Sequence, residues 1–184
     1  MSSLLAAREN ILRSGRGATV PLNDIILSSE QSSIVFDDLI GNADSEYIFR
    51  AWFEAASVAA LFPSMFINED NAGTSYDTLY ETTLAASVTP TEQLGRPEFN
   101  LTPSLLVNQG ETGFLEMRIK GTSAITNGHN IDGEISVSGS NNVMVNSTGK
   151  WDSVAEVNKI TLRSGAPFLT STFAAGSRFQ LFTF

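Results

Sequence analysis

His129 is the single histidine of the chain, and there is no cysteine. The usual zinc sites need several nitrogen or sulfur ligands, and a Ser-His-Asp triad needs an imidazole between its nucleophile and its carboxylate. A zinc ion would therefore have to be held by carboxylates, and a hydrolytic triad would rest wholly on His129. Thr126-Asn127-Gly128 and Asn130 surround this histidine with turn formers, which places it on a surface loop. No serine stands in a nucleophile-elbow pattern. The stretch Asn68-Glu69-Asp70-Asn71-Ala72-Gly73-Thr74-Ser75-Tyr76-Asp77 is rich in oxygen ligands of the kind calcium takes. Its spacing matches no EF-hand loop, and Asn, Asp and Gly are also what a turn requires, so it reads as a hairpin connection. Asp37-Asp38 and Glu69-Asp70 are carboxylate pairs that glycoside hydrolysis could use at a separation of about 5–10 Å. On an acidic surface such neighbours are ordinary solvated charge. Neither a catalytic residue nor a metal or cofactor site is assigned.

Aromatic side chains offer a different chemistry, stacking against sugars or packing at a protein interface. Tyr47, Phe49 and Phe53 share strand parity and line the inside, while Trp52 falls with Ile48, Arg50 and Glu54 on the opposite face. Tyr76, Tyr80 and Trp151 complete the set, most of which must be core.

The elements that position these residues follow from length and pattern. A chain of 184 residues fits one compact domain with a short appendage, at roughly 100–200 residues per domain. With 42% hydrophobic and 17% charged residues it has the material for a core and is no disordered tail. A net charge of -9 repels phosphate backbones and anionic lipid, so neither nucleic acid nor membrane is an expected partner. Without cysteine there is no disulfide scaffold. Residues 1–10 lack the basic-then-apolar pattern of a secretory signal, and the apolar run 57–62 is too short to span a bilayer. The expectation is a soluble protein made in the cytoplasm.

Residues 1–32 read as an N-terminal helix and basic arm, and 33–184 as an all-β body. Ser2 or Ser3 caps a helix of about three turns marked by Leu4, Leu5, Ala7, Ile11 and Leu12, with Gly15 as its stop. Arg8, Arg13 and Arg16 against Glu9 give the first twenty residues a charge of +2, leaving -11 on the rest. Beyond Pro21, short alternating runs between Gly, Asn, Asp, Ser and Thr predict strands at 33–37, 46–56, 60–68, 104–108, 113–120, 131–138, 142–146, 157–163 and 177–184. In the 113–120 run, Leu115, Met117 and Ile119 alternate with Glu116, Arg118 and Lys120, one face buried and one wet. Residues 77–100, interrupted by Pro90, Gly95 and Pro97, predict a brief helix or irregular excursion and then a long loop. In the last strand Phe179 and Leu181 share one face, and Phe182 and Phe184 lie on the other or at its end. A strand apolar on both faces needs a second cover, either a neighbouring copy or the N-terminal segment of the same chain. No repeat, heptad run or collagen triplet supplies a fibrous shaft.

Two segments near the carboxyl end carry a resemblance: Thr148-Gly149-Lys150-Trp151-Asp152-Ser153-Val154-Ala155-Glu156-Val157-Asn158-Lys159-Ile160-Thr161-Leu162, and Phe173-Ala174-Ala175-Gly176-Ser177-Arg178-Phe179-Gln180-Leu181. With Phe66-Ile67-Asn68-Glu69-Asp70-Asn71-Ala72-Gly73-Thr74-Ser75-Tyr76 upstream and the opening Ile34-Val35-Phe36, they resemble the jelly-roll module of tailed-bacteriophage virion proteins. The ending Leu181-Phe182-Thr183-Phe184 departs from that module's Leu-Tyr-Gly. Gly176 and Gly149, each shortly before an apolar strand residue, are expected in tight turns with positive φ.

The resemblance implies an antiparallel jelly-roll β-sandwich, a homotrimer, and no catalytic residues or cofactors. The function expected is that of a capsid decoration or cement protein on the outer surface of the head. Leu4, Leu5, Arg8, Ile11, Leu12, Arg13 and Arg16 would dock on the major capsid protein, and Phe179, Phe182 and Phe184 would lie at the trimer interface. The alternative is a tail or head fibre component whose loops bind host glycan. An enzyme on this fold lacks a recognisable constellation.

Overall fold

The structure is a computed structural model that describes residues 20–40, 46–57, 61–71, 73–84, 87–101, 107–120, 128–138, 143–165 and 171–183. The expected helix at the amino terminus lies outside these residues. The described residues form twelve strands: β1 (Asn23–Ile26), β2 (Ser33–Phe36), β3 (Glu46–Glu54), β4 (Ser64–Ile67), β5 (Tyr76–Leu84), β6 (Ser87–Arg96), β7 (Phe99–Asn100), β8 (Thr112–Lys120), β9 (His129–Ser138), β10 (Val143–Trp151), β11 (Ile160–Arg163) and β12 (Arg178–Thr183). All pair antiparallel, in an eight-stranded sheet of order β1-β12-β3-β8-β9-β10-β5-β6 and a four-stranded sheet of order β2-β11-β4-β7. The chain is an all-β sandwich. β1 to β4 alternate between the two sheets, β12 inserts between β1 and β3, and β11 between β2 and β4, the wrap of a jelly roll. β1 belongs to the large sheet, so the β structure reaches into the segment read as arm.

Alternation fixes which face is buried. Tyr47, Phe49, Ala51 and Phe53 of β3 point into the sandwich, with Leu115, Met117 and Ile119 of β8 beside them, as their parity predicts. A line of rings ties the sheets together. Phe36 meets Phe49 edge-on at 5.6 Å, Phe49 lies 6.4 Å from Phe179, Phe179 meets Phe173 at 5.1 Å, and Phe173 meets Phe53 at 5.6 Å. Pairs of this kind add about 0.5–1.5 kcal/mol each beyond the area they bury.

Residues 77–100 correct the sequence reading. They hold most of β5 and all of β6, paired antiparallel at the edge of the large sheet. Thr78, Thr82, Thr83, Val88, Thr89 and Thr91 are β-branched and favour the extended backbone. Pro90 and Gly95 looked like breakers, yet β6 is an edge strand, where a missing donor and a bulge are tolerated. The register shifts between Tyr76 and Thr78, opposite Gly95 at φ 59°.

The two glycines of the resemblance differ. Gly176 does sit in a positive-φ turn, at 89°. Gly149 does not turn: it lies inside β10, paired with Thr78 and Ile131. A Cβ there would overlap the Asp77 carbonyl and stand 3.0 Å from the Phe99 ring, so its requirement is space. Gly149→Ala is expected to lower stability by about 1–3 kcal/mol, read as a reduced urea midpoint with an unchanged slope.

Candidate functional site

His129 is not on a surface loop. It is the first residue of β9, fully buried, and lies flat on Trp151 with ring centroids 5.0 Å apart. Gly128, at φ 77° and with the Trp151 carbonyl where a Cβ would stand, lets the strand begin this close. His129 Nε2 is 2.6 Å from the Ala155 carbonyl, so it carries the proton and donates. The Trp151 indole donates to Asp70 Oδ2 at 2.8 Å, and Ser75 donates to Asp70 Oδ1 at 3.0 Å. Asn68 accepts from the amides of Asn158 and Lys159 and donates to the Glu156 carbonyl. The segment read as a hairpin is therefore a crossing from the small sheet at β4 to the large sheet at β5, and the side-chain oxygens of Asn68 and Asp70 accept hydrogen bonds from the protein itself. Among the described residues no group of three or more His, Cys, Asp or Glu is arranged to hold a metal.

A further cluster of polar and aromatic residues, none of them singled out by local sequence as a site, lies on the outer face of the large sheet. Registered partners run across it in rows. One row passes through Ile26, Arg178, Trp52, Phe114, Ser136, Met144, Thr83 and Val88. Ile26, Trp52, Met144 and Val88 of this row are exposed large apolar residues, and Trp52 packs on Phe114 with centroids 5.3 Å apart. The adjoining row is charged, running Arg50, Glu116, Glu134, Asn146, Glu81.

Between these rows and the next is a depression of about 430 Å³ lined by Phe114, Glu116, Arg118, Asp132, Gly133, Glu134, Asn146 and Ser147. Arg50 Nε donates to Glu116 Oε2 at 2.7 Å, and Arg118 Nη2 donates to Glu116 Oε1 at 3.3 Å. Lys120 Nζ and Thr148 Oγ1 hold the two oxygens of Asp132 at 2.6 and 2.9 Å. The alternation of Gly113 to Lys120 already put Glu116 and Arg118 on one face. What the sequence lacked was the register that sets them beside Asp132, Glu134 and Asn146.

Of the residues expected at an interface, Phe179 is wholly buried in the chain's own core and leaves no ring surface for a neighbour. Phe182 does face outward beside Ile48, but Arg50 lies over its ring at 5.3 Å and only 7% of it is exposed. Phe184 and the arm residues Leu4, Leu5, Arg8, Ile11, Leu12, Arg13 and Arg16 lie outside the described residues.

Burial pushes the Glu116 carboxyl up, but the guanidiniums of Arg50 and Arg118 outweigh it, so the group titrates below its ordinary 4.5. The Lys120 ammonium holds Asp132 below its ordinary 3.8. A folded-state value below the unfolded one means stability that is present above the ordinary carboxylate range and lost as pH falls through the folded titration. A carbon-detected NMR titration should give side-chain midpoints below 4.5 for Glu116 and below 3.8 for Asp132. Lys120→Ala should move Asp132 back up.

No family model and no curated protein matches this chain. Among solved structures it is similar to the galectin LEC-6 of Caenorhabditis elegans, at 11% identity and a TM-score of 0.37, over 91% of this chain and 99% of the galectin. It is also similar to the alginate lyase Aly36B, at 11% identity and a TM-score of 0.31, over 85% of this chain and 78% of the lyase.

Proposed function

We propose that this chain is a structural protein of a tailed-bacteriophage virion, a decoration or cement protein that assembles as a homotrimer on the outer surface of the head and stabilises it. The observation that carries the assembly is β6. Ten residues long, about 33 Å at strand spacing, it closes the large sheet with one edge bonded to β5 and the other, among the described residues, unpaired. Val88 and Leu94 stand on it 54% and 62% exposed. A long edge bearing exposed apolar side chains is a surface that monomers avoid and assemblies use. Pro90 and the bulge at Gly95 limit open-ended strand addition, which favours a closed ring over a fibril.

The placement in a virion rests on the resemblance, and its segments behave as one unit. Phe66–Tyr76 and Thr148–Leu162 are some eighty residues apart, yet Asp70 with Trp151, Asn68 with Lys159, and Ser75 with Asp152 bind them into a single corner. A module conserving that corner conserves the sandwich. Each standard interface it makes on a lattice would bury about 1,200–2,000 Å², area that opposes expansion of the shell.

Electron microscopy of the intact particle tests the reading. Trimers spread over the head lattice are expected, and density confined to the tail or to a single vertex would overturn it. Deleting residues 1–20 should abolish particle binding and spare the oligomer; retained binding would remove the arm from the docking role. Val88→Asp with Leu94→Asp should give a monomer mass by native mass spectrometry. An unchanged oligomer with both substitutions in place would take the β6 edge out of the contact.

A further inference from the structure

We propose that the depression beside Phe114 is a binding site for a neutral saccharide, a function beyond the assembly reading and independent of it. A pyranose presents a C–H face and a rim of hydroxyls that each donate and accept. It is matched by an aromatic surface next to planar groups with two polar atoms apiece. Here the aromatic surface is Phe114 backed by Trp52, whose indole is 40% exposed. The planar groups are the carboxylates of Glu116, Asp132 and Glu134, the guanidinium of Arg118 and the amide of Asn146, converging on a hollow of about 430 Å³, within the range of small-ligand sites.

Preorganisation favours such a site. Glu116 and Arg118 hold one another, and Lys120 and Thr148 hold Asp132, so little side-chain freedom is lost on binding. Arg118 has five N–H donors and spends few of them on Glu116. Among the described residues Glu134 makes no ion pair; it lies exposed in register with Asn146, two unspent polar groups side by side. Charge narrows the class: Arg50 and Arg118 are paired with Glu116 and Lys120 with Asp132, so the hollow is near electroneutral and offers a phosphorylated, sulfated or sialylated ligand no cation without a carboxylate already beside it. Phe114 is the single apolar side chain of the lining, so there is no apolar socket for a peptide anchor. β10, the near wall of the hollow, stands two strands from β6, about 10 Å away, so strand pairing at the free side of β6 does not cover the hollow.

The test uses the full-length protein in solution, where failure of the capsid reading has no bearing. ¹⁵N-labelled protein is titrated with galactose, N-acetylglucosamine, maltose and cellobiose, with N-acetylneuraminic acid and a heparin oligosaccharide as acidic probes and trilysine as a cationic one. At least one neutral sugar should give saturable shifts at the amides of Phe114, Glu134 and Asn146. Glu134→Ala, Asn146→Ala and Trp52→Ala should each weaken binding about tenfold, the loss of one good contact, the first two with the unfolding temperature unchanged. Absence of saturable shifts for every neutral sugar up to about 50 mM, above the millimolar constants of weak ligands, would overturn the proposal. So would shifts that survive all three substitutions, or binding confined to the acidic probes or to trilysine.

Discussion

Two crossings between the sheets, β4 to β5 and β10 to β11, lie one inside the other and are held together by Trp151. β4 pairs with β11 and β5 with β10, so both crossings leave the same two strand pairs and must turn the same corner. The indole is the wedge: 1% exposed, stacked on His129, and bonded to Asp70. A buried N–H without an acceptor costs about 1–3 kcal/mol, and Asp70 supplies that acceptor only because the chain turns left-handed just before it. Asn68 and Glu69 both have positive φ, 53° and 60°. Asparagine tolerates this conformation, and its side chain here also satisfies two amides and a carbonyl of the opposite crossing.

The corner sets register, and register sets the outer face. β10 runs in step with β9 on one side and β5 on the other over nine residues, ending at Trp151. A slip of one residue would turn every side chain of β10 over, driving Lys150 and Asn146 inward and Val145 out. The same step lines Glu134 up with Asn146 and Asp132 with Thr148. The polar hollow is thus positioned by a buried aromatic at the far end of the strand, with the sheet as a rigid ruler between them.

Much of this was legible from local pattern. The parities of β3 and β8 told which residues face the core and which face water, because one buried face per strand forces a two-residue period. Three of the readings that failed show why. Pro90 and Gly95 signal interruption to a local reading, but an edge strand has one side with no ladder to break. Gly149 reads as a turn because local sequence cannot show that Asp77 and Phe99 crowd its missing Cβ. His129 was placed in solvent because turn formers surround it, although Gly128 is the turn and the strand begins at the next residue. The hollow itself was out of reach, since its residues come from three strands and only cross-strand pairing brings them together.

The charge of the chain divides along the same lines. Arg178 with Asp24, Arg50 with Glu116, Lys120 with Asp132 and Lys150 with Asp152 balance one another on the outer face of the large sheet, and such exposed pairs add little stability. Their effect is positional, fixing long side chains that would otherwise sample many rotamers. Glu134 and Glu81 lie outside this pairing, on the two strands either side of β10, so the negative excess of the face is concentrated around Asn146. β6 itself contributes Glu92 and Arg96, one charge of each sign. A surface that must bury against a neighbour is served by near neutrality, because desolvating unpaired carboxylates would cost more than the apolar area returns. A surface that must hold a hydroxylated ligand in water is served by ionised acceptors that remain solvated. Under the two proposals these demands fall on different strands of one sheet.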